Sequence, residues 1–109
     1  MANIYFVDKD WQTMDDSLAP VLEALGDPTR RHVVRLLGNG PLRAGELAEA
    51  TGTGAPAMSR HLKVLLDAGI IADGRMERDA RARVFNLQPD SLMVLQTWLD
   101  QVNAQWEER

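Results

Sequence analysis

The chain has 109 residues, of which 45% are hydrophobic, a length and composition that suit one domain with its own core. It contains no cysteine, which excludes disulfides, thiolate metal ligands and cysteine nucleophiles. No apolar run reaches the roughly 18 residues of a membrane span, and the first residues lack the basic start and apolar run of a secretory signal. We therefore expect a cytoplasmic protein with no membrane partner.

The net charge of −4 would by itself argue against a nucleic-acid partner, but the charges are unevenly distributed. Residues 28–83 hold ten basic and six acidic side chains, for a net charge of +4. Residues 1–27 and residues 84–109 have net charges of −5 and −3. Because DNA binding depends on the field at the contact surface rather than on the total charge, the middle segment is a candidate nucleic-acid surface.

Two helices are predicted after residues 1–16, which we interpret as an N-terminal arm preceding a single domain, residues 17–107. Apolar residues of the first helix are spaced i, i+3, i+4 and i+7: Leu18, Val21, Leu22 and Leu25. Gly26 ends that helix. Asp27 then supplies an N-cap, and Pro28 a first helical residue, for a second helix that stops at the Gly-rich turn beginning at residue 38.

A helix-turn-helix is predicted next. A short helix over Ala44–Thr51 stops at Gly52, and a longer helix begins near Ala55 and ends at Gly69. The longer helix carries apolar residues on one face only: Met58, Leu62, Leu65 and Leu66. Two helices joined by a short turn that contains glycine form a helix-turn-helix, in which the second is the recognition helix. An ordinary packed helix pair is the alternative interpretation of this stretch alone.

Donors suited to reading DNA lie on another face of the predicted recognition helix. The Arg60 guanidinium can bridge guanine O6 and N7, Ser59 can meet a base edge, and Lys63 suits a phosphate. The candidate DNA contact also includes the first turn of that helix: Ala55, Pro56 and Ala57.

A β-hairpin is predicted after the recognition helix. Strand-like apolar runs at residues 70–71 and 84–87 flank the charged segment RMERDARAR, residues 75–83. That segment gives the hairpin a basic tip through four arginines: Arg75, Arg78, Arg81 and Arg83. We expect them, Arg78 and Arg81 especially, to reach the DNA backbone or a narrow minor groove. A merely solvated hairpin is the alternative.

The last helix is predicted to begin at Pro89. Its apolar residues are spaced three and four apart, the pattern of a helix that packs lengthwise on another: Leu92, Leu95, Leu99, Val102 and Trp106, bordered by Trp98. We interpret this seam, together with Leu18, Val21 and Leu22 of the first helix, as a dimer interface. The alternative is that the seam packs only within its own chain.

The predicted order of helix, helix, helix-turn-helix, hairpin and helix is that of a winged helix-turn-helix, mainly α with a β-hairpin wing. The segments ALGDPTRRHVVRLL (24–37), GELAEATG (45–52) and SRHLKVLLDAGII (59–71) resemble the ArsR/SmtB family of bacterial transcriptional repressors. The resemblance covers the chain from about residue 18 onward. It implies a homodimer on a palindromic operator near its own promoter, with the recognition helix in the major groove and the wing on the backbone or minor groove.

Many members of that family sense metals, a property that the resemblance does not carry over. Where one family site has Cys-x-Cys at the start of the third helix, this chain has Arg43 and Gly45. Where another has His and carboxylates on the last helix, this chain has only carboxylates: Asp90, Asp100, Glu107 and Glu108. His61 is expected to pack half-buried, and His32 to lie on a helix surface. Because borderline metals prefer imidazole or thiolate ligands, we expect no metal and no other cofactor.

The leading hypothesis is a dimeric, sequence-specific, metal-independent repressor that acts by occluding an operator; any effector is unknown. The alternative is a winged helix that serves as a protein-interaction module, which would not need the cluster of Arg60, Lys63 and basic wing. An enzyme is not expected, because the sequence has no P-loop, no Rossmann glycine motif and no nucleophile in a catalytic context.

Overall fold

The computed structural model describes residues 15–76, 78–79 and 81–107, with side chains as far as residue 105. Within them, five helices and two strands follow in chain order: α1 (residues 15–24), α2 (Pro28–Leu37), α3 (Ala44–Thr51), α4 (Ala55–Asp67), β1 (Ile71–Arg75), β2 (Arg83–Leu87) and α5 (Pro89–Glu107). The predicted fold class, mainly α with a β-hairpin wing, is confirmed. Residues 15 and 16, which we had assigned to the arm, are already helical, and residues 1–14 lie outside the described part.

Asp27 begins α2 as its position before Pro28 predicts. The Asp27 carboxylate accepts hydrogen bonds from the backbone N–H groups of Thr29 at 2.8 Å and Arg30 at 3.2 Å. Pro28 occupies the first helical position, where its missing N–H leaves no hydrogen bond unmade. The turn between α1 and α2 is therefore fixed by local sequence.

Glycines end α3, begin α4 and end α4 in the helix-turn-helix that these two helices form. Gly52 follows α3 with φ 67°, a left-handed conformation that satisfies the last carbonyls of a helix. Gly54 caps α4 without a side chain, and its carbonyl accepts from the Met58 N–H at 2.9 Å. At the far end of α4, Gly69 has φ 75°, and a Cβ there would lie 2.8 Å from the Ser91 hydroxyl of α5. That hydroxyl donates to the Gly69 carbonyl at 2.8 Å and so joins α5 to the end of α4.

One apolar core decides which face of α4 is buried. Its stripe, Met58, Leu62 and Leu65, is at most 3% exposed and packs against α2 and α3. The remaining buried members of the cluster come from every other element except α5: Val21, Ala24, Val33, Leu37, Leu47, Ile70, Ile71 and Phe85. Because this face of α4 is committed to the core, the opposite face is turned to solvent.

The strands of the wing are longer, and the turn between them is shorter, than the sequence predicts. β1 pairs antiparallel with β2 from Ile71↔Leu87 to Arg75↔Arg83. Arg75 and Arg83, which we placed at the ends of the charged turn, therefore belong to the strands. Pairing across the hairpin carries β1 through residues 72–75 (ADGR), which have little strand character of their own. A bridge between Leu42 and Phe85 also ties the loop before α3 to β2, an interaction that sequence reasoning missed.

The seam on α5 is divided between two environments. Leu92 and Leu95, near its start, are partly buried and pack against the core of their own chain. Leu99 and Val102, further along, remain 40% and 41% exposed. Intrachain packing therefore accounts for the first half of the predicted seam and leaves the second half open. Among the described helices, none combines the length and the apolarity required to cross a bilayer.

The Asp27 cap makes stability depend on pH. Partial burial tends to raise the pKa of the Asp27 carboxyl, but the N–H groups of Arg30 and Thr29 and the positive charge of Arg30 outweigh it, so the pKa lies below its ordinary value. A lowered folded-state pKa contributes stability that is present above the unfolded-state pKa and is lost as pH falls through the folded-state pKa. Asp27→Asn keeps a capping oxygen but cannot titrate. We expect the difference in unfolding free energy between wild type and Asp27→Asn to shrink on acidification from about pH 7 to about pH 3, measured by urea unfolding. A difference that stays constant over this range would contradict the role of the ionised cap.

Candidate nucleic-acid interface

The exposed face of α4 carries the side chains predicted to contact DNA. Burial of the apolar stripe in the core places five predicted residues on the solvent side: Ala55, Pro56, Ser59, Arg60 and Lys63. Ala57 is half-buried at the edge of that face. The structure thus brings these residues together on one exposed surface of the recognition helix, as a DNA-reading role requires.

Arg60 and Lys63 differ in how free they are. The Arg60 side chain is exposed and makes no hydrogen bond or ion pair with any other residue that the structure describes. Lys63 Nζ lies 3.2 Å from Asp67 Oδ2, one helical turn away, with both side chains largely exposed. An exposed i, i+4 pair contributes only about 0.3–0.5 kcal/mol, so a phosphate can compete for Lys63 at little cost. Arg60 is the donor with no internal competitor among the described residues.

The four wing arginines fall into two pairs. Arg83 Nε donates to Asp73 Oδ2 at 3.0 Å, and its guanidinium carbon lies 4.8 Å from the centre of the Phe85 ring. Arg75 is the strand partner of Arg83, and its Nη1 donates to the Gly74 carbonyl at 3.3 Å. Arg83 is therefore paired in the free protein, and no feature of the sequence pattern indicates this pairing.

Arg78 and Arg81 lie at the tip of the wing. Both are exposed, and neither side chain bonds to another described residue; residues 77 and 80 of the same tip lie outside the described part. The Asp79 carboxylate accepts from the Arg81 backbone N–H at 3.0 Å, which orders the turn. Arg78 and Arg81 are thus the wing cations with free guanidinium groups within the described structure, and their use in DNA binding stays a prediction.

A cluster around Arg30 joins the α1–α2 turn to α4. Arg30 Nε donates to the Ala24 carbonyl at 2.6 Å, and Nη2 donates to the Glu23 carbonyl at 3.3 Å. Arg30 Nη1 lies 3.3 Å from Nδ1 of His61, which is half-buried as expected. Next to it, Arg31 Nη1 donates to the Leu25 carbonyl at 2.7 Å. Sequence reasoning missed this cluster, although basic residues shortly after a helix end are a known signal for capping its carbonyls.

The residues predicted to form a dimer interface differ in exposure. Leu18 and Val21 are at most 3% exposed within one chain, whereas Leu22, on the same helix, is 46% exposed. On α5, Trp98 is half-buried, and the side chain of Trp106 lies outside the described residues. Of the residues predicted for the interface, Leu22, Leu99 and Val102 are therefore the ones left open, whereas Val21 belongs to the core of its own chain and Leu18 is buried.

The positions compared above with the metal-ligand positions of the ArsR/SmtB family hold side chains with other contacts in this chain. Arg43 and Gly45 flank the start of α3, and Arg43 Nη2 donates to the Met76 sulfur at 3.4 Å. His32 is exposed on α2, as predicted, and His61 faces Arg30. Within the described residues, no three His, Asp or Glu side chains are grouped to hold a metal ion.

Comparison with known proteins identifies the family. Residues 25–73, from the start of the turn between α1 and α2 into β1, match a family described as a helix-turn-helix domain. The HTH-type transcriptional regulator Rv2034 of Mycobacterium tuberculosis is 44% identical over 78 residues, which are 72% of this chain and 70% of that protein. The transcriptional repressor SdpR of Bacillus subtilis is 42% identical over 55 residues, which are 50% of this chain and 61% of that protein.

The crystal structure of an ArsR family transcriptional regulator, RHA00566, superposes with a TM-score of 0.76 at 30% identity and covers 86% of this chain and 94% of that one. The proteins matched are transcriptional regulators, a class of DNA-binding protein rather than of enzyme. With its helix-turn-helix, hairpin wing and final helix in the same order, this chain belongs to the ArsR/SmtB family of winged helix-turn-helix transcriptional regulators.

Proposed function

We propose that this regulator is a homodimeric repressor that binds a palindromic operator near its own promoter and blocks transcription by occupying it. The observation that carries the proposal is the exposed Arg60 on the solvent face of α4, with no partner among the described residues. Arg78 and Arg81 add free positive charge at the tip of the wing. A guanidinium on a recognition helix can read guanine in the major groove, and flanking cations can hold the phosphates.

The homodimer in this proposal is supported by exposed apolar side chains. Leu99 and Val102 continue the seam of α5 beyond the part that packs on its own core. Leu22 of α1 is also open, so the two helices predicted to dimerise each present an apolar side chain. A dimer would bury these side chains and would place two recognition helices on two half-sites of a palindrome.

Protection of DNA upstream of the gene is the direct test. We expect the protein to protect one segment with two inverted half-sites from nuclease cleavage, and to reduce transcription from a promoter that overlaps it. The alternative, a winged helix that binds only another protein, predicts no protected segment and equal, weak affinity for all duplexes at low salt.

Metal independence is part of the proposal, because the chain has no cysteine, and because His61 faces Arg30 rather than a second ligand. Borderline metals prefer imidazole and thiolate donors. We expect saturating Zn²⁺, or its removal by a chelator, to change operator affinity by less than about twofold, or about 0.4 kcal/mol. Fluorescence anisotropy with a labelled operator duplex measures this, with Mg²⁺ at equal ionic strength as the control. A reproducible tenfold effect of Zn²⁺ alone would contradict metal independence and show a metal site outside the groups considered above.

The remaining assignments in the proposal concern domain organisation and location. Residues 15–107, which include all of α1, would form the DNA-binding and dimerising unit, and the residues before them would be an arm of unassigned role. The protein would act in the cytoplasm, where the operator is, and an effector, if one exists, would shift the dimer between geometries that do and do not fit DNA.

A further inference from the structure

The Arg30 side chain connects three helices at one point. Its guanidinium donates to the Ala24 and Glu23 carbonyls at the end of α1 and approaches His61 Nδ1 of α4, while its own backbone belongs to α2. The Ala24 contact, at 2.6 Å, is a short charge-assisted hydrogen bond to a carbonyl that has no further helical turn to pair with. Arg30 and His61 are half-buried, so solvent competes less for the contacts with Ala24 and His61 than it would at an exposed site, whereas the bond to Glu23 is exposed.

The contact with His61 bears on how α4 faces the DNA. His61 directly follows Arg60 in the chain, and it lies beside the apolar stripe rather than on the exposed face. Side chains on a helix surface lie about 5–6 Å from the axis, so a rotation of about 10° moves a surface group by about 1 Å. Hydrogen bonds to a base tolerate only a few tenths of an ångström, so a rotation of this size would disrupt a bidentate contact.

We propose that Arg30 is a positioning residue for operator binding: its guanidinium holds the end of α1 and His61 together and so fixes the rotation of the recognition helix that presents Arg60. The inference rests on the proposed function, since it concerns the same DNA-binding surface. Arg30 itself need not touch DNA. Because α1 also carries the exposed Leu22, the same contact links the proposed dimer surface to the proposed DNA surface.

The chemistry of the contact sets the requirements on both partners. Arginine has five N–H donors in a planar fork and no acceptor, so His61 Nδ1 must accept, and its proton must reside on Nε2. Lysine keeps the positive charge but has no fork that reaches two carbonyls and an imidazole at once. Asparagine at position 61 places an amide oxygen where Nδ1 now lies, whereas alanine places no acceptor there.

The test uses the full chain and the duplex that wild-type protein protects upstream of its gene. We expect Arg30→Lys and His61→Ala each to weaken operator binding by about tenfold or more. The variant that combines both substitutions should bind within about twofold of Arg30→Lys alone. His61→Asn should bind within about threefold of wild type. Arg31→Lys, which alters a cap on the same turn that does not involve His61, is the matched control and should bind within about twofold of wild type.

Several outcomes would overturn the inference. Wild-type affinity for Arg30→Lys would show that only the charge matters, as for a residue that contacts phosphate. Additive losses in the double variant would show that Arg30 and His61 act separately. Unfolding curves at the assay temperature establish whether each variant is folded. If Arg30→Lys is not folded, the comparison of His61→Ala with His61→Asn tests the contact, because only asparagine keeps an acceptor at that position.

A measurement without DNA separates this inference from the proposed function. In the imidazole ¹⁵N spectrum of the free protein, Nδ1 of His61 should show the shift of a hydrogen-bonded acceptor, with exposed His32 as the internal reference. Arg30→Lys should move the His61 signal toward that of His32. If the wild type protects no duplex, the proposed function fails; if it does and Arg30→Lys changes neither the spectrum nor the affinity, the positioning role fails alone.

Discussion

Replacing Leu99 and Val102 together by Asp is expected to convert the dimer into a folded monomer. Both side chains are about 40% exposed in the isolated chain, so the substitutions leave the core intact. In a dimer they would bury four carboxylates against an apolar surface, at a cost of several kcal/mol. Sedimentation or light scattering at micromolar concentration gives the mass, and circular dichroism shows whether the helices are retained.

The matched control for that variant is Gln101→Asp. Gln101 is exposed on the same helix and outside the seam spacing, so the substitution adds a charge without entering the proposed interface. We expect Gln101→Asp to remain a dimer with operator affinity near that of wild type. A dimer that survives the Leu99→Asp, Val102→Asp double substitution would show that the chains meet through a different surface.

Arg60→Ala is expected to abolish base discrimination at one position of each half-site. A bidentate contact to guanine is worth about 1–3 kcal/mol against the wrong base, so the variant should bind the operator about fivefold to over a hundredfold more weakly. Binding to a scrambled duplex should fall much less, because Arg60 then contributes only its charge. Titrations of both duplexes, and of operators changed at single base pairs, locate the position that Arg60 reads.

The wing provides the contrast to Arg60. Arg78→Ala combined with Arg81→Ala should weaken binding to operator and scrambled duplexes alike and lower the log–log salt slope by about one unit for each phosphate that the variant no longer neutralises. Arg83→Ala should change the salt slope less, because Arg83 is paired with Asp73 in the free protein. Equal losses of affinity for both duplexes in Arg60→Ala would assign Arg60 to a phosphate and place specificity in Ser59 or in DNA shape.

Local signals in the sequence were enough to predict the helices that position the site. Asp27 before Pro28, Gly52 after α3 and Gly69 after α4 end or begin helices through their own backbone preferences, which depend little on distant residues. The apolar stripe at Met58 and Leu62 likewise determined which face of α4 is buried. From these signals followed the fold class and the exposed position of Arg60.

Interactions between distant residues were beyond such reasoning. The strands of the wing extend to Arg75 and Arg83 because the two backbones pair with each other. Asp73 of one strand then forms an ion pair with Arg83 of the other. Neither effect appears in the local propensity of residues 72–75, so the sequence alone placed both arginines in the turn. Only the folded hairpin distinguishes Arg78 and Arg81, which have no partner among the described residues, from Arg83, which is paired with Asp73.

The sequence by itself determined the elements of this regulator, their order and the apolar face of each helix, because those depend on the period and the caps of a single segment. Only the tertiary structure decided which apolar residues remain open, since Leu22 and Leu18 share one pattern, yet Leu22 is 46% exposed and Leu18 is 3% exposed. It also decided that Arg30 meets His61, 31 residues later, because that contact exists only when α2 and α4 pack on one core.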